Sequence, residues 1–349
     1  MKKQFYFILF LLLLSGSKMQ SQATATVFIT DLSSPNPMVI DGHTMYIGLY
    51  ELNKIVKINL SQPGLPPTDV VTGVNRPYGL ALKDHTLYIS EFGANRISKF
   101  NLNGSGTSAE IMLSNISSPI GLEFSGNDLY IALEGDNKIA KIDVTQPNPQ
   151  VKDIASAASP FDIEIVGNDL YFTERFQGKV SKVSLNSSGA PTTVVQGLSY
   201  PSGISHYGNE IFVCEADAAK VSKFNITQPN PVLSVGIASS EFIYPSGIIT
   251  KEKTIFVSDF FSGSLLKTDL AALSVSEQTN KNKISVYPNP AKEYLTVANV
   301  KSKDYKIFDM AGNLIVSGRI ERNTVNVSQL IKGNYIIQIG DVIKKFIKN

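Results

Sequence analysis

Four acidic residues stand at equivalent positions along the chain, each at the end of a short apolar segment. They are Glu91, Glu174, Glu215 and Asp259. Their carboxylates could accept hydrogen bonds from a polar ligand. They could equally accept hydrogen bonds from backbone N–H groups of a neighbouring loop, in a purely structural role. Because the acid recurs, the structural interpretation is favoured for this set.

Aromatic and charged side chains that are not repeated flank these acids and are the better candidates for function. Aromatic rings can stack on a sugar or a similar ring, and charged groups can fix its orientation. The candidates that break the repeat most clearly are Arg76, Tyr78, Glu134, Asp162 and Arg175. The other aromatic candidates are Tyr50, Phe92, Phe161 and Phe260, with Phe176 and Phe261 beside them. Together with the four acids, these residues predict a shallow ligand-binding pocket.

Residues suited to nucleophilic or metal chemistry are few. His43 and His85 fall in turns expected on the opposite side of the fold, and His206 lies late in a predicted strand. The single cysteine, Cys214, lies within an apolar strand and is predicted to be a buried structural thiol. The sequence contains no Gly-rich phosphate loop, no Cys/His cluster and no Gly-x-Ser-x-Gly motif. It therefore predicts no cofactor and leaves open whether the protein is an enzyme.

A repeat positions all of these side chains. Its marker is a proline that recurs every 41 to 44 residues, at Pro35, Pro77, Pro119, Pro160, Pro201 and Pro245. After five of these prolines the pattern is Pro-x-Gly or Pro-x-Asp followed by Ile or Leu, and the first copy differs in having Pro37. Each copy then contains two further strand-like segments. Six strand-rich copies of this length predict an all-β fold, a six-bladed β-propeller.

The two ends of the repeat region predict how the ring closes. The strand-like segment 26–30 precedes the first copy, and the sixth copy has only three strands before a polar segment. We therefore expect the N-terminal strand to become the fourth strand of the last blade. Closure in this way removes an unpaired sheet edge, which would otherwise invite association.

The remaining segments set the domain boundaries. Residues 1–23 carry Lys2, Lys3, an apolar run and a small-residue site, which predicts a secretory signal peptide. Its ten apolar residues are too few to span a membrane, which needs about 20. The propeller is expected over 24–270, a polar linker over 271–283 and a small β-sandwich over 284–349. A net charge of +2 argues against a nucleic-acid partner.

The tail also carries a resemblance. Its opening Tyr287-Pro288-Asn289-Pro290, its turn Asp309-Met310-Ala311-Gly312, the segment 330–335 and its lysine-rich end resemble the type A C-terminal sorting domain of the Bacteroidetes type IX secretion system. The resemblance implies contact with the type IX machinery, export through the outer membrane and removal of the tail. The protein would then be secreted or held on the outer cell surface. An accessory binding sandwich is the alternative.

The repeats resemble the superfamily of NHL-repeat, streptogramin-lyase-like and gluconolactonase-like propellers. The segment Tyr171-Phe172-Thr173-Glu174, for example, is similar to a strand of the lyases. The resemblance is generic and implies the fold more than an activity. The aromatic and acidic residues favour a module that binds an extracellular glycan or protein, and the alternative is a secreted lyase or lactone hydrolase acting at the channel mouth. The lyases use a histidine that has no recognisable counterpart here. The gluconolactonase-like enzymes hold a divalent metal, for which only Asp162 is suitably placed.

Overall fold

The chain forms two compact units, residues 1–274 and 275–349. The computed structural model describes residues 23–186, 189–270, 285–298, 304–309, 313–321, 323–340 and 342–349. The predicted signal peptide, up to residue 22, and the linker lie outside the described residues, as does part of the 309–312 turn. Within the described ranges, no helix is long and apolar enough to cross a membrane.

The first unit contains six sheets, here numbered sheets 1 to 6 in chain order, each built of four antiparallel strands, to which sheet 5 adds a fifth. The first strands are Pro35–Asp41, Pro77–Lys83, Pro119–Ser125, Pro160–Val166, Pro201–Tyr207 and Pro245–Lys251. The second strands are Thr44–Leu49, Thr86–Glu91, Asp128–Leu133, Asp169–Glu174, Glu210–Glu215 and Thr254–Asp259. The third strands are Lys54–Asn59, Arg96–Asn101, Lys138–Asp143, Lys179–Ser184, Lys220–Asn225 and Ser264–Asp269. The fourth strands are Thr68–Thr72, Glu110–Ser114, Lys152–Ser156, Thr192–Gln196, Ser234–Ala238 and, for sheet 6, Thr26–Ile29.

The second strand of every sheet is buried on both faces. In sheet 3, Leu129 and Ile131 are inaccessible to solvent and Tyr130 is nearly so. Leu129 and Ile131 pack in one apolar cluster and Tyr130 in the next, because a neighbouring sheet covers each face. A strand covered on both sides loses the polar alternation of a half-exposed strand. This explains the continuous apolar Leu-Tyr-Ile segments.

The repeated glycine is explained by how closely the first strands approach one another. A Cβ atom on Gly79 would lie 1.9 Å from the carbonyl oxygen of Ile120 in the next sheet. The same atom on Gly247 of sheet 6 would lie 2.0 Å from the carbonyl oxygen of Asn36 in sheet 1. No side chain fits at either position. The contact between sheets 6 and 1 therefore repeats the contact between sheets 2 and 3.

A side chain of the second strand joins each of four sheets to the following one. Each donates to a backbone carbonyl of the next first strand: Ser90 Oγ to Ile120 O at 2.6 Å, Thr173 Oγ1 to Ser202 O at 2.8 Å, Cys214 Sγ to Gly247 O at 3.9 Å, and Ser258 Oγ to Asn36 O at 3.0 Å. The donors are buried, so each bond satisfies a carbonyl that water cannot reach. Cys214, which is buried as expected, occupies one of these positions.

The N-terminal segment contributes two strands. Thr26–Ile29 pairs antiparallel with Ser264–Asp269, with Val27 opposite Leu266. Before it, Ala23–Thr24 pairs parallel with Ser234–Ala238 and adds a fifth strand to sheet 5. The sequence did not predict this pairing, because two residues are too few to show a period. Ala23 is fully covered in the cluster that sheets 5 and 6 share.

The second unit is a β-sandwich. One sheet has three strands, Ser285–Tyr287, Tyr294–Ala298 and Thr324–Asn326. The other has four, Asp304–Phe308, Leu314–Arg319, Gly333–Ile339 and Val342–Lys348. Side chains from both sheets, including Leu295, Ile307 and Ile337, share one apolar core. The alternating pattern of the tail therefore produces the small sandwich that was predicted.

We predict that Phe28→Ala destabilises the first unit and that Val27→Ala does so much less. The Phe28 ring packs edge-on against Phe256, with ring centres 5.6 Å apart, whereas the Val27 side chain is 42% exposed. Removing a half-buried aromatic ring costs about 1–2 kcal/mol, part of the cost at a fully buried site. Urea unfolding measures both variants. Equal stability of Phe28→Ala and the native protein would contradict a stabilising role for this strand.

We also predict that Gly247→Ala destabilises the protein by about 1–3 kcal/mol or more, because the added methyl group overlaps backbone atoms. Gly64→Ala is the matched control, since a Cβ atom there meets nothing within 4 Å. Thermal unfolding of the two variants gives the comparison. If Gly247→Ala melts at the native temperature, the close contact between sheets 6 and 1 is absent in solution.

Candidate functional site

The loops that precede the first strands and the turns that join second to third strands lie at one end of the six sheets. We call this end the loop face. Most of the candidate residues that the sequence predicted lie here, either in these loops and turns or, like Tyr78, Phe161 and the four repeated acids, at the strand ends next to them. Two turns contain short 3-10 helices, Phe92–Ala94 and Arg175–Gln177. The exception is Asp162, described below.

The four repeated acids are buried and their oxygens are occupied by the protein. Each accepts a hydrogen bond from a backbone N–H two residues before the repeat proline: Glu91 from Asn75 at 2.7 Å, Glu174 from Ala158 at 2.9 Å, Glu215 from Ser199 at 2.8 Å, and Asp259 from Ile243 at 2.7 Å. Three also contact a cation at the start of the third strand, Arg96, Lys179 or Lys220. In this state the carboxylates hold the loop face in shape and are not available to a ligand.

Three asparagines with a similar role were missed from the sequence. Asn53, Asn95 and Asn137 adopt the left-handed conformation, with φ of 53°, 51° and 53°. Each side-chain oxygen accepts the N–H of the residue before the next proline: Arg76 at 2.9 Å, Ser118 at 2.9 Å and Ser159 at 2.8 Å. The signal was present, because these asparagines recur at a spacing of 42 residues.

Tyr78 lies at the centre of an aromatic cluster on the loop face. Its ring centre lies 5.0 Å from that of Tyr50, 5.2 Å from Phe161, 5.6 Å from Phe92 and 6.4 Å from Phe260. Burial raises the pKa of the Tyr78 hydroxyl. The structure therefore brings these five predicted residues together, but they stack mainly on one another.

The aromatic surface continues outward through two residues that the sequence analysis missed, Tyr200 and Tyr244. Ring centres are 5.6 Å apart for Phe176 and Tyr200, 6.3 Å for Tyr200 and Tyr244, and 4.7 Å for Tyr244 and Phe261. We call these four residues the aromatic belt. Phe176 is 65% exposed and Phe261 is 66% exposed. The two tyrosines directly precede the repeat prolines. An aromatic residue at this position is the signal in the sequence that could have identified them.

Arg175 connects the central cluster with the aromatic belt. Its guanidinium carbon lies 3.3 Å from the ring centre of Phe161 and 4.7 Å from that of Tyr200. The side chain is 9% exposed, and its Nε and Nη2 atoms have no hydrogen-bond partner. A buried guanidinium with unpaired nitrogens is unfavourable unless ring faces or a ligand compensate.

The other two charged candidates lie at the margins of the cluster. Arg76 is exposed and lies 5.5 Å from the ring centre of Tyr50. Glu134 is partly buried, and burial raises the pKa of its carboxyl, while the charge of Arg175 acts in the opposite direction. The Arg175 charge therefore reaches Glu134, without a hydrogen bond between them.

Asp162 does not lie on the open loop face where the sequence analysis placed it. Its carboxylate accepts hydrogen bonds from its neighbour Ile163 N–H and from Ile204 N–H in sheet 5, both at 3.0 Å. It lines a cavity of about 90 Å³ between the first strands. The reason is that it replaces the repeated glycine, whose position faces the next sheet.

Two further carboxylates, Glu123 and Glu164, line the same cavity and were missed because they lie within strands. Burial, together with the charges of Glu164 and Asp162, raises the pKa of Glu123 well above its usual range. Glu164 forms a short contact with Nδ1 of His206, and this contact raises the pKa of His206. Within the described residues, no group of three or more His, Cys, Asp or Glu side chains is arranged to hold a metal ion.

We predict that Asp162 makes the stability of the protein fall as pH rises from about 4 to 7. Burial raises the pKa of Asp162 from its usual 3.8 to about 7. The folded state therefore binds the proton more tightly than the unfolded chain. The stabilisation is full below the unfolded pKa and is lost as pH approaches 7, with a slope of up to about 1.4 kcal/mol per pH unit. The raised pKa values of Glu123 and His206 act in the same direction.

Urea unfolding between pH 4.5 and 7.5 measures this slope, and Asp162→Asn should flatten it. Asp84→Asn is the control, because its side chain is 87% exposed. A slope as steep in Asp162→Asn as in the native protein would mean that other groups carry the dependence.

Comparison with known proteins identifies the tail. Residues 285–349 match the family model described as a secretion system C-terminal sorting domain. This confirms the resemblance found in the sequence. No curated protein matches the chain.

Solved structures identify the fold of the first unit. The chain is similar to virginiamycin B lyase from Staphylococcus aureus, with a TM-score of 0.53 and 17% identity over 71% of this chain and 99% of that one. It is similar to a luciferin-regenerating enzyme, with a TM-score of 0.57 and 10% identity over 71% of this chain and 95% of the other. It also resembles a chain of the nidogen/laminin complex, with a TM-score of 0.56 and 16% identity over 66% and 90%.

Identities this low speak for the fold and not for an activity. The first unit has the β-propeller fold that its repeats predicted. The tail belongs to the C-terminal sorting family and marks the protein for export, so that the chain is a β-propeller protein of the cell exterior, either secreted or on the outer surface.

Proposed function

We propose that the protein is a closed six-bladed β-propeller that binds an extracellular ligand through its loop face. Closure is supported by the contact between Gly247 and Asn36, which repeats the contact between Gly79 and Ile120. It is supported further by the hydrogen bond from Ser258 Oγ to Asn36 O, the equivalent of the bond from Ser90. The N-terminal strand then completes the sixth blade.

The proposed domain order follows from the sequence features of each segment and from the family match of the tail. A signal peptide over residues 1–23 would direct the chain out of the cytoplasm, and the propeller would occupy 24–270. A linker over 271–283 would separate it from the sorting domain at 284–349. The sorting domain would then engage the type IX machinery, after which the propeller is the part of the molecule that acts outside the cell.

The observation that carries the binding function is the exposure of the aromatic belt. Phe176 and Phe261 are each about two-thirds exposed, and they lie at either end of a row of rings in contact. Water contact with this much aromatic surface is unfavourable. A continuous apolar surface of this kind typically marks an interaction site. Ring faces suit sugar rings or apolar side chains of a protein.

The ligand contacts are assigned by access. The belt and Tyr50, Arg76, Phe92, Glu134, Arg175 and Phe260 would contact the ligand, with Tyr78 and Phe161 supporting them from below. The acids Glu91, Glu174, Glu215 and Asp259 would keep their structural hydrogen bonds. Asp162 would remain in the cavity beneath the aromatic cluster.

One observation favours the enzymatic alternative, a lyase or lactone hydrolase. Asp162 combines a pKa raised to about 7 with a place in a cavity, a combination found at acid–base sites. However, Tyr78 and Phe161 also line that cavity. Their rings restrict the access of a substrate from the loop face to Asp162. Turnover of a lactone, or bound calcium or zinc, that is lost in Asp162→Ala would support this alternative.

We predict that Phe176→Ala and Phe261→Ala each weaken ligand binding about tenfold or more, because each removes a ring that a ligand can stack on. A glycan array, followed by pull-down from an extracellular protein extract, identifies the ligand, and calorimetry measures the affinities. Neither variant should lower the melting temperature appreciably, since both rings are mostly exposed.

Leu65→Ala is the matched control, because Leu65 is 57% exposed and lies in the loop between the third and fourth strands of sheet 1. Loss of binding in Leu65→Ala, or native affinity in both phenylalanine variants, would overturn the loop face as the binding surface.

A further inference from the structure

We propose that Arg175 is the recognition group for a carboxylate carried on a sugar ring, so that the ligand of the loop face is an acidic glycan containing uronic acid residues. This inference rests on the proposed function, because it names the ligand class for the same surface. It adds an ionic contact to the stacking that the aromatic belt supplies.

The first argument is that Arg175, although buried, has no carboxylate partner in the part of the chain that the structure describes. Arg96, Lys179 and Lys220, at the starts of third strands, each lie within 3.2 Å of a repeated acid. Within the described residues, no carboxylate oxygen lies within 4.0 Å of Arg175. Nevertheless, Arg175 is as buried as an ion-paired arginine would be, with 9% of its surface exposed.

The second argument is the state of its nitrogen atoms. Nε and Nη2 are on the same edge of a guanidinium, and neither has a hydrogen-bond partner. These two donors form the fork that binds both oxygens of a carboxylate. A buried donor without a partner costs about 1–3 kcal/mol. A ligand carboxylate at this edge would recover that cost on binding.

The guanidinium is also held in place before any ligand arrives. Phe161 supports one face at 3.3 Å and Tyr200 lies 4.7 Å from the same carbon. The positive charge of Arg175 also acts on the Tyr78 hydroxyl, whose pKa it lowers against the larger effect of burial. A side chain fixed in this way loses little conformational entropy when it binds. Nε and Nη2 are covered in the free protein, so a ligand reaches them only when a neighbouring side chain moves.

The chemistry of the surface favours a glycan over a peptide. An extended peptide binds mainly through backbone hydrogen bonds. On the loop face, the N–H groups of the residues before the prolines are already bonded to the repeated acids and to Asn53, Asn95 and Asn137. What remains available is ring faces and the two cations Arg76 and Arg175. A pyranose with a carboxylate matches both features.

The experiment measures binding of oligogalacturonate, oligoglucuronate and alginate oligosaccharides to the full chain by calorimetry, at low and moderate salt. Each is compared with its carboxyl-reduced, neutral counterpart. We expect at least one acidic glycan to bind about tenfold or more tightly than its neutral counterpart, because a charge-assisted bidentate bond is lost on reduction. Arg175→Lys, which keeps the charge but not the fork, should abolish most of this preference.

Lys57→Met is the control for charge alone, because Lys57 is exposed on a third strand away from the loop face. It should keep the preference. The comparison of acidic and neutral glycans in the native protein does not depend on whether an Arg175 variant folds. Equal affinity for acidic and neutral forms overturns this inference, and so does an unchanged preference in Arg175→Lys. If neutral glycans or a protein bind and Phe261→Ala abolishes that binding, the proposed function stands without the inference.

Discussion

The architecture of the first unit depends on how closely the first strands of neighbouring sheets pack against one another. At Gly79 and Gly247 the neighbouring backbone leaves no room for a methyl group. A hydroxyl or thiol from the second strand then bonds to the same stretch of neighbouring backbone, as Ser90 and Ser258 do. Glycine and a small donor occur together in sheets 2, 5 and 6, and their recurrence follows from this one distance. The loop face owes its shape to this packing, because the loops are the ends of the strands so fixed.

The polar residues of the loop face divide into two groups with different tasks. Those that recur are buried and bonded to loops, as Glu91 is to Asn75. Arg175, which occurs once, has buried donors without a partner. Burying a polar group without a partner is unfavourable, so repeated positions evolve towards satisfied ones when the only demand is stability. An exception to the repeat indicates a demand of another kind. This is why Arg175, and not the more numerous acids, carries the proposal for ligand recognition.

The strand-rich units could be predicted well from the sequence because the same pattern recurs in six copies. One irregular copy therefore does not hide the pattern. Pro160 begins a strand although Asp162 replaces the glycine that follows elsewhere. The positions and surroundings of individual side chains were harder to predict. Asp162 was expected on the open face, but its side chain faces the neighbouring sheet, and no local pattern reports on a neighbour about 40 residues away. Glu123 and Glu164 were missed for a related reason, because a polar residue in a strand normally suggests the solvent side. Tyr200 and Tyr244 were missed because they precede their prolines, whereas the repeat pattern is defined by the residues that follow each proline.

The pairing of Thr26 with Lys267 brings together residues from the two ends of the first unit. Such a pair cannot form until nearly all of the intervening chain has emerged. Ala23 and Thr24 have the same requirement with respect to Ile237 and Ala238. The N-terminal strands of the first unit can therefore pair only after its C-terminal strands have been synthesised. Until then the strand Thr26–Ile29 has no partner in the first unit, and its backbone groups remain unpaired.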